Sequence, residues 1–271
     1  MSACQNVPSL TITDSRVGGY STISINGADR LYMLRCEMHT AGRILISAGA
    51  RIDMSYSRVS EQGYFQATQG FLTANYSSAE NLGYIRNTST GTNRADRSTA
   101  SNQANIRFDN TVTGCRVYYT TSTDGSSIYL NGTSTNCYIY YCTANSLGQI
   151  YIQNGVNARC YYNNANSRGY VRSINASATH YFYYCNASAS GYVEQLNNTA
   201  QVRQYAIHSS SQSICRVQNT TVNSNLYYSS FTAYYYIFAT LTGGTRSGLH
   251  GYGRRSYTVT NPPNGTFVQN F

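Results

Sequence analysis

The 271-residue chain is 11% charged and 41% hydrophobic, with 28 Tyr, no Trp and a formal charge of +9 at pH 7. Globular chains carry about 25% charged residues, and disordered ones are charged and short of aromatics, so the usual disordered class is excluded. Every basic residue is Arg, spread from Arg16 to Arg255 instead of clustered, which argues against a nucleic-acid partner.

Residues 1–19 show neither the basic n-region nor the apolar h-region of a signal peptide. No apolar run approaches the roughly 18 residues of a membrane span. This stretch precedes the first repeat and is expected to cap one end, because an exposed terminal coil is an unpaired strand edge.

Residues 20–234 carry an internal repeat. Small turn-forming residues recur as Gly63, Gly83, Ala104, Gly125, Gly148, Gly169, Gly191 and Ser213. One to three positions later comes Phe65, Ile85, Ile106, Ile128, Ile150, Val171, Val193 or Ile214. An Asn follows in the later repeats (Asn110, Asn131, Asn154, Asn175, Asn197, Asn219), then a Tyr or Tyr pair beginning at Tyr118, Tyr140, Tyr161, Tyr183, Tyr205 and Tyr227.

A unit of this length, rich in Tyr, Thr, Ile and Val with Gly and Asn punctuation, has strand chemistry. Sustained 3.6-residue apolar spacing is missing, which argues against an α-solenoid. The expected fold is therefore all-β: a single-chain parallel β-helix (β-solenoid) of roughly ten coils of 20–23 residues, stacked about 4.8 Å apart. The Asn column is expected to form a hydrogen-bonded ladder at a turn. From Tyr235 the period is lost in a segment dense in Gly that contains Pro262-Pro263. Residues 235–271 read as a C-terminal cap or oligomerisation segment.

Three features bear on function. Cys115, Cys137 and Cys160 recur at coil spacing and read as a buried column of reduced thiols, with disulfides or metal as alternatives. No spacing matches a metal site, and no cofactor is implied.

Strand alternation sends one ring of each Tyr pair outward and the other inward. An outward Arg116 makes Tyr118, Tyr140, Tyr161, Tyr183, Tyr205 and Tyr227 the external column, and the second Tyr of each pair internal. Another outward column follows the first apolar position: Arg86, Arg107, Tyr129, Tyr151, Arg172 and Glu194. Tyr and Arg stripes suit protein interfaces, where both are enriched, or glycan stacking, though in-register β-propensity alone would also favour Tyr.

Catalytic readings are weak. Ten acidic residues and four His (His39, His180, His208, His250) fall into no spacing that suits catalysis, and Asp96, Asp109 and Asp124 occupy different columns.

The columns of Gly, Ile/Val, Asn and Tyr-Tyr resemble those of parallel β-helix proteins over about 80% of the chain. In style they are similar to short bacteriophage virion proteins: capsid decoration (cement) proteins and tail spikes or fibres. That resemblance implies a non-enzymatic structural part, often a homotrimer, assembled in a host cytoplasm and then displayed on a virion or extracellular surface. Its partners would be further copies of itself and other virion or surface proteins. A glycan-binding adhesin or receptor-binding fibre is the alternative, and a polysaccharide-cleaving β-helix the third reading.

Overall fold

The computed structural model describes residues 3–4, 8–47, 49–88, 93–109, 114–131, 137–154, 158–174 and 180–196, with seven further strand segments between 202 and 269. It is a parallel β-solenoid with three sheets, and the described part is without helix. About seven turns are described, fewer than the roughly ten the period suggests. The chain divides into two compact units, 1–134 and 135–271.

Each turn lays down three short strands, as in Tyr64–Ala67, Phe71–Asn75 and Ser78–Glu80. Each strand pairs in parallel with its counterpart one turn away: Phe65 with Ile85, Ala74 with Ala95, Ala79 with Ala100. Pairing starts early in the chain, with Leu10 opposite Leu31 and Arg16 opposite Glu37.

The alternating pattern dictates which side chains fill the interior. On the first face Ile44, Phe65, Ile85, Ile106 and Ile128 form one column in the first unit, and Ile150, Val171 and Val193 another in the second. All are fully buried, and each side chain of this size contributes about 1.5–3 kcal/mol by leaving water. Register corrects one member of the expected column: Cys215 lies opposite Val193, and Ile214 lies opposite Tyr192.

Two kinds of bend join the faces. Between the third and first faces, two successive residues take positive φ, as at Asn81 (46°) and Leu82 (65°), and the Gly83 N–H donates to Glu80 O at 2.8 Å. This is the geometry of a type I′ turn. The glycine that follows answers a different need. A Cβ on Gly83, Gly169 or Gly191 would overlap the backbone carbonyl of Val59, Ala144 or Ala165 one turn away. Gly125 is not in that column. It sits inside its turn at φ 72°, and Ser126 fills the tight position with its hydroxyl donating to Ala100 O at 2.6 Å.

Between the second and third faces the chain turns on one residue of positive φ, followed by a residue that is buried at every corner except Ser15. The turning residues are Asp14, Arg35, Tyr56, Tyr76, Arg97 and Tyr119 in the first unit, and Tyr141, Tyr162 and Tyr184 in the second. The buried successors knit the turns together. Ser77 Oγ accepts from the Ser57 N–H at 3.4 Å and donates to Asn75 O at 3.1 Å. Asn163 does both jobs with its amide, accepting from the Cys142 N–H at 2.9 Å and donating to Ile139 O at 3.1 Å. The left-handed conformation costs a non-glycine residue about 1–2 kcal/mol. These buried hydrogen bonds, at about 0.5–1.5 kcal/mol each, offset that cost.

A hydrogen-bonded ladder is thus built at this corner from Ser and Asn. Of the expected Asn column only Asn131 and Asn154 are described with their side chains; Asn110, Asn175 and Asn197 lie outside the described residues, as does the Asn219 side chain. Cys160 does not share a column with Cys137: Cys137 lies opposite Ala158, and Cys160 opposite Ile139 and Phe182. Cys36, Cys142, Cys160 and Cys185 are buried free thiols, in keeping with the reduced reading.

Candidate functional site

In the second unit, the strands Cys137–Tyr140, Ala158–Tyr161 and His180–Tyr183 stack in register. Tyr140, Tyr161 and Tyr183 form one outward column with ring centroids 4.9 Å apart and planes within 8° of parallel. Beside it runs a second column, Tyr138, Arg159 and Tyr181. Here the Arg159 guanidinium lies over both rings at 5.7 and 5.5 Å, a cation–π sandwich. Tyr138 and Tyr181 also stack sideways on Tyr140 and Tyr183, at 5.9 and 5.8 Å.

The corner adds a third column. Tyr141, Tyr162 and Tyr184 stack at 5.0 and 4.9 Å, with planes 3–4° apart. These rings were expected inside. They lie outside because positive φ at each corner residue (54°, 55° and 53°) breaks the two-residue alternation. Tyr119 behaves in the same way in the first unit, and the four rings are 44–52% exposed. The result is a three-by-three array of eight Tyr and one Arg.

The other sequence-derived residues divide between two faces. Tyr118 is outward on the second face of the first unit, beneath the Arg94 guanidinium at 5.5 Å. Tyr205 and Tyr227 continue the register of Tyr183 by backbone pairing, and their side chains lie outside the described residues. Arg86, Arg107 and Tyr129 align on the first face of the first unit, and Tyr151 and Arg172 on that of the second. All five are half-buried. Arg86 and Arg107 clamp the buried Asp109 carboxylate at 2.9 and 2.6 Å, and Arg172 holds the buried Glu194 at 2.6 Å. This column therefore joins turns internally, unlike the corner column. Periodicity misses the corner because nothing in it encodes the sign of φ; the available signal is the small buried residue after each corner Tyr.

Electrostatically the array is neutral apart from Arg159. Burial pushes the Tyr161 phenol above its ordinary range, against the pull of Arg159, and does the same to Tyr151 and Tyr170. Residues 135–271 contain eight Arg and one acid, Glu194. Since each ring in a column covers its neighbour's face, the array presents edges and hydroxyls. Among the described residues, no three His, Cys, Asp or Glu side chains gather into a metal site, and no helix is long and apolar enough to cross a membrane.

No protein-family model, curated protein or solved structure matches the chain.

Proposed function

We propose that the chain is a non-enzymatic structural protein of the virion kind, a capsid decoration or tail-fibre component, which acts through rigid faces of its solenoid. The exposed Tyr141, Tyr162 and Tyr184 corner, backed by the Tyr140, Tyr161 and Tyr183 column, carries this reading. Ordered rings need little further loss of side-chain entropy on docking, and Tyr and Arg are the residues that anchor interfaces. Assembly as a homotrimer on another virion or surface protein covers such a face. The Arg excess of residues 135–271 favours an acidic partner surface.

Two further observations weigh against the other readings. Glycan stacking needs an open ring face, and here the faces within each column are turned onto one another. Seven of the ten acids are held in Arg pairs, which leaves few carboxylates for glycosidic cleavage. Light scattering on the full chain tests the proposal. The expected result is a trimer, reduced to a folded monomer by Tyr141→Ser, Tyr162→Ser and Tyr184→Ser together. A stable wild-type monomer in solution overturns it.

A further inference from the structure

The same corner holds aligned phenols in front of shielded thiols. Tyr141 is followed by Cys142 and Tyr184 by Cys185, both fully buried. Cysteine oxidation follows exposure and thiolate character, and neither thiol is exposed. Burial pushes Cys185 up to about 12, so it stays protonated at neutral pH. The tyrosines in front are half-exposed, and each lies over the next at 4.9–5.0 Å. Tyr56 and Tyr76 repeat the arrangement in the first unit, at 5.0 Å and 4°. Arg97 lies over both Tyr76 and Tyr119, at 5.3 and 5.5 Å, and so separates those two rings. Tyr20, at 83% exposure, has no ring neighbour among the described residues.

We infer that the corner tyrosines are a site of oxidative cross-linking, in which a one-electron oxidant of the haem-peroxidase class, fed by hydrogen peroxide, joins Tyr141 to Tyr162, Tyr162 to Tyr184, and Tyr56 to Tyr76 as dityrosine. Each phenol gives up one electron and one proton. The two phenoxyl radicals then form a carbon–carbon bond between ring carbons ortho to oxygen. The hydrogens on those carbons move to the oxygens and restore two phenols, while one hydrogen peroxide is reduced to two waters. Within one stack a given Tyr162 couples to one neighbour, so the 141–162 and 162–184 links are alternatives in each molecule. The product is a covalent staple between successive turns of one chain, on the surface where the solenoid meets its surroundings.

The test treats full-length protein, diluted until light scattering reports the monomer and the corner is uncovered, with peroxidase and hydrogen peroxide, follows dityrosine fluorescence, and maps linked peptides by mass. The expected result is intrachain pairs two hydrogen atoms lighter than their parts, at 141–162, 162–184 and 56–76. Cys142 and Cys185 should still alkylate after unfolding. Tyr162→Phe keeps a ring in the stack but removes the phenol, so it should lower the second-unit links at least tenfold and leave 56–76 unchanged. The 56–76 link also reports that the variant is folded. Links dominated by Tyr20, a 76–119 link as strong as 56–76, or oxidation of the buried thiols first would each overturn the inference.

Discussion

Residues 1–134 hold nine of the ten acids and nine of the 28 Tyr; residues 135–271 hold one acid and nineteen Tyr. Both units use the same three-faced turn, so the scaffold tolerates two ways of joining one turn to the next on the outside. The first unit uses charge: Arg35 with Asp14 at 2.5 Å, Arg16 with Glu37 at 3.0 Å, Arg58 with Glu80 at 2.9 Å. The second relies mainly on rings, although Tyr56 stacks on Tyr76 in the first unit and Arg172 pairs with Glu194 in the second. An exposed ion pair contributes about 0–1 kcal/mol. An aromatic pair contributes about 0.5–1.5 kcal/mol beyond its buried area. The two devices are close in strength but differ in consequence. Arg–acid columns neutralise themselves, whereas Tyr columns leave ring edges and hydroxyls exposed, in a unit whose eight Arg face a single acid, Glu194.

If the contrast is confined to the surface, the cores must answer alike. Phe108 and Phe182 are both fully buried, one in each unit. Phe108→Ala and Phe182→Ala are each expected to cost about 3–5 kcal/mol in denaturant unfolding. A loss below half of that in one unit alone would show that the cores differ too.

The next largest effect lies at the tight turn. Gly169→Ala and Gly83→Ala bring a methyl against a backbone carbonyl one turn away, and are expected to cost about 1–3 kcal/mol each. Ala104 and Ser126 show that the neighbouring turn can shift to admit a Cβ. That sets the expectation below the cost of a core cavity. Thermal midpoints unchanged by either substitution would mean that the turns are not held at contact distance.

A smaller effect separates the two surfaces. Tyr161→Ala removes the middle ring of a stacked column and is expected to cost about 1 kcal/mol or more, whereas Tyr161→Phe keeps most of it. Ser55→Ala, at a matching outward position on the same face in the first unit, should fall within about 0.5 kcal/mol of wild type. Alkaline titration sharpens this contrast. Burial raises Tyr151, Tyr161 and Tyr170 in the second unit, and Tyr84 in the first. A phenol whose folded pKa is raised contributes stability that is fully present below its unfolded value of about 10 and is lost as pH climbs through the folded value. Hydrogen exchange above that pH should show the second unit's strands losing protection first. Equal loss in both units would remove the distinction.

Much of this architecture is legible in the sequence, because in-register stacking repeats each side-chain environment every turn. The column of Phe65, Ile85 and Ile106, and the outward row of Tyr140, Tyr161 and Tyr183, follow directly from strand alternation. What alternation cannot supply is the point at which it stops. Tyr141, Tyr162 and Tyr184 follow an outward residue, so a period of two sends them inside; the left-handed corner sends them out. The same corner places Cys142, Asn163 and Cys185 in one buried column, while Cys160 belongs three positions earlier in its turn. Coil spacing alone cannot tell those positions apart, since residues at nearly equal intervals can still sit on different sides of a bend. Gly125 shows the same ambiguity at the other turn, where a one-residue shift exchanges a φ requirement for a packing one.

The smallest expected effect tests the charge device alone. The hydrogen bonds from Arg35 hold the Asp14 carboxyl below its ordinary range, and the pair is exposed at the corner. A carboxylate with a depressed folded pKa contributes stability that is present above its unfolded value of about 3.9 and is lost as pH falls through the folded value. Asp14→Asn should therefore lower the thermal midpoint slightly at neutral pH, and the gap between variant and wild type should close in acid. Tyr162→Phe, at the equivalent corner of the second unit, involves no carboxylate, so whatever gap it opens should stay constant over the same acid range. A gap for Asp14→Asn that persists below the folded pKa would locate the effect in uncharged contacts of residue 14 instead of in the ion pair, since Asn accommodates the left-handed backbone as well. In that case charge would be incidental to the first unit's corner, and the two units would differ only in which side chains decorate a corner that the buried Ser and Asn hydrogen bonds already hold.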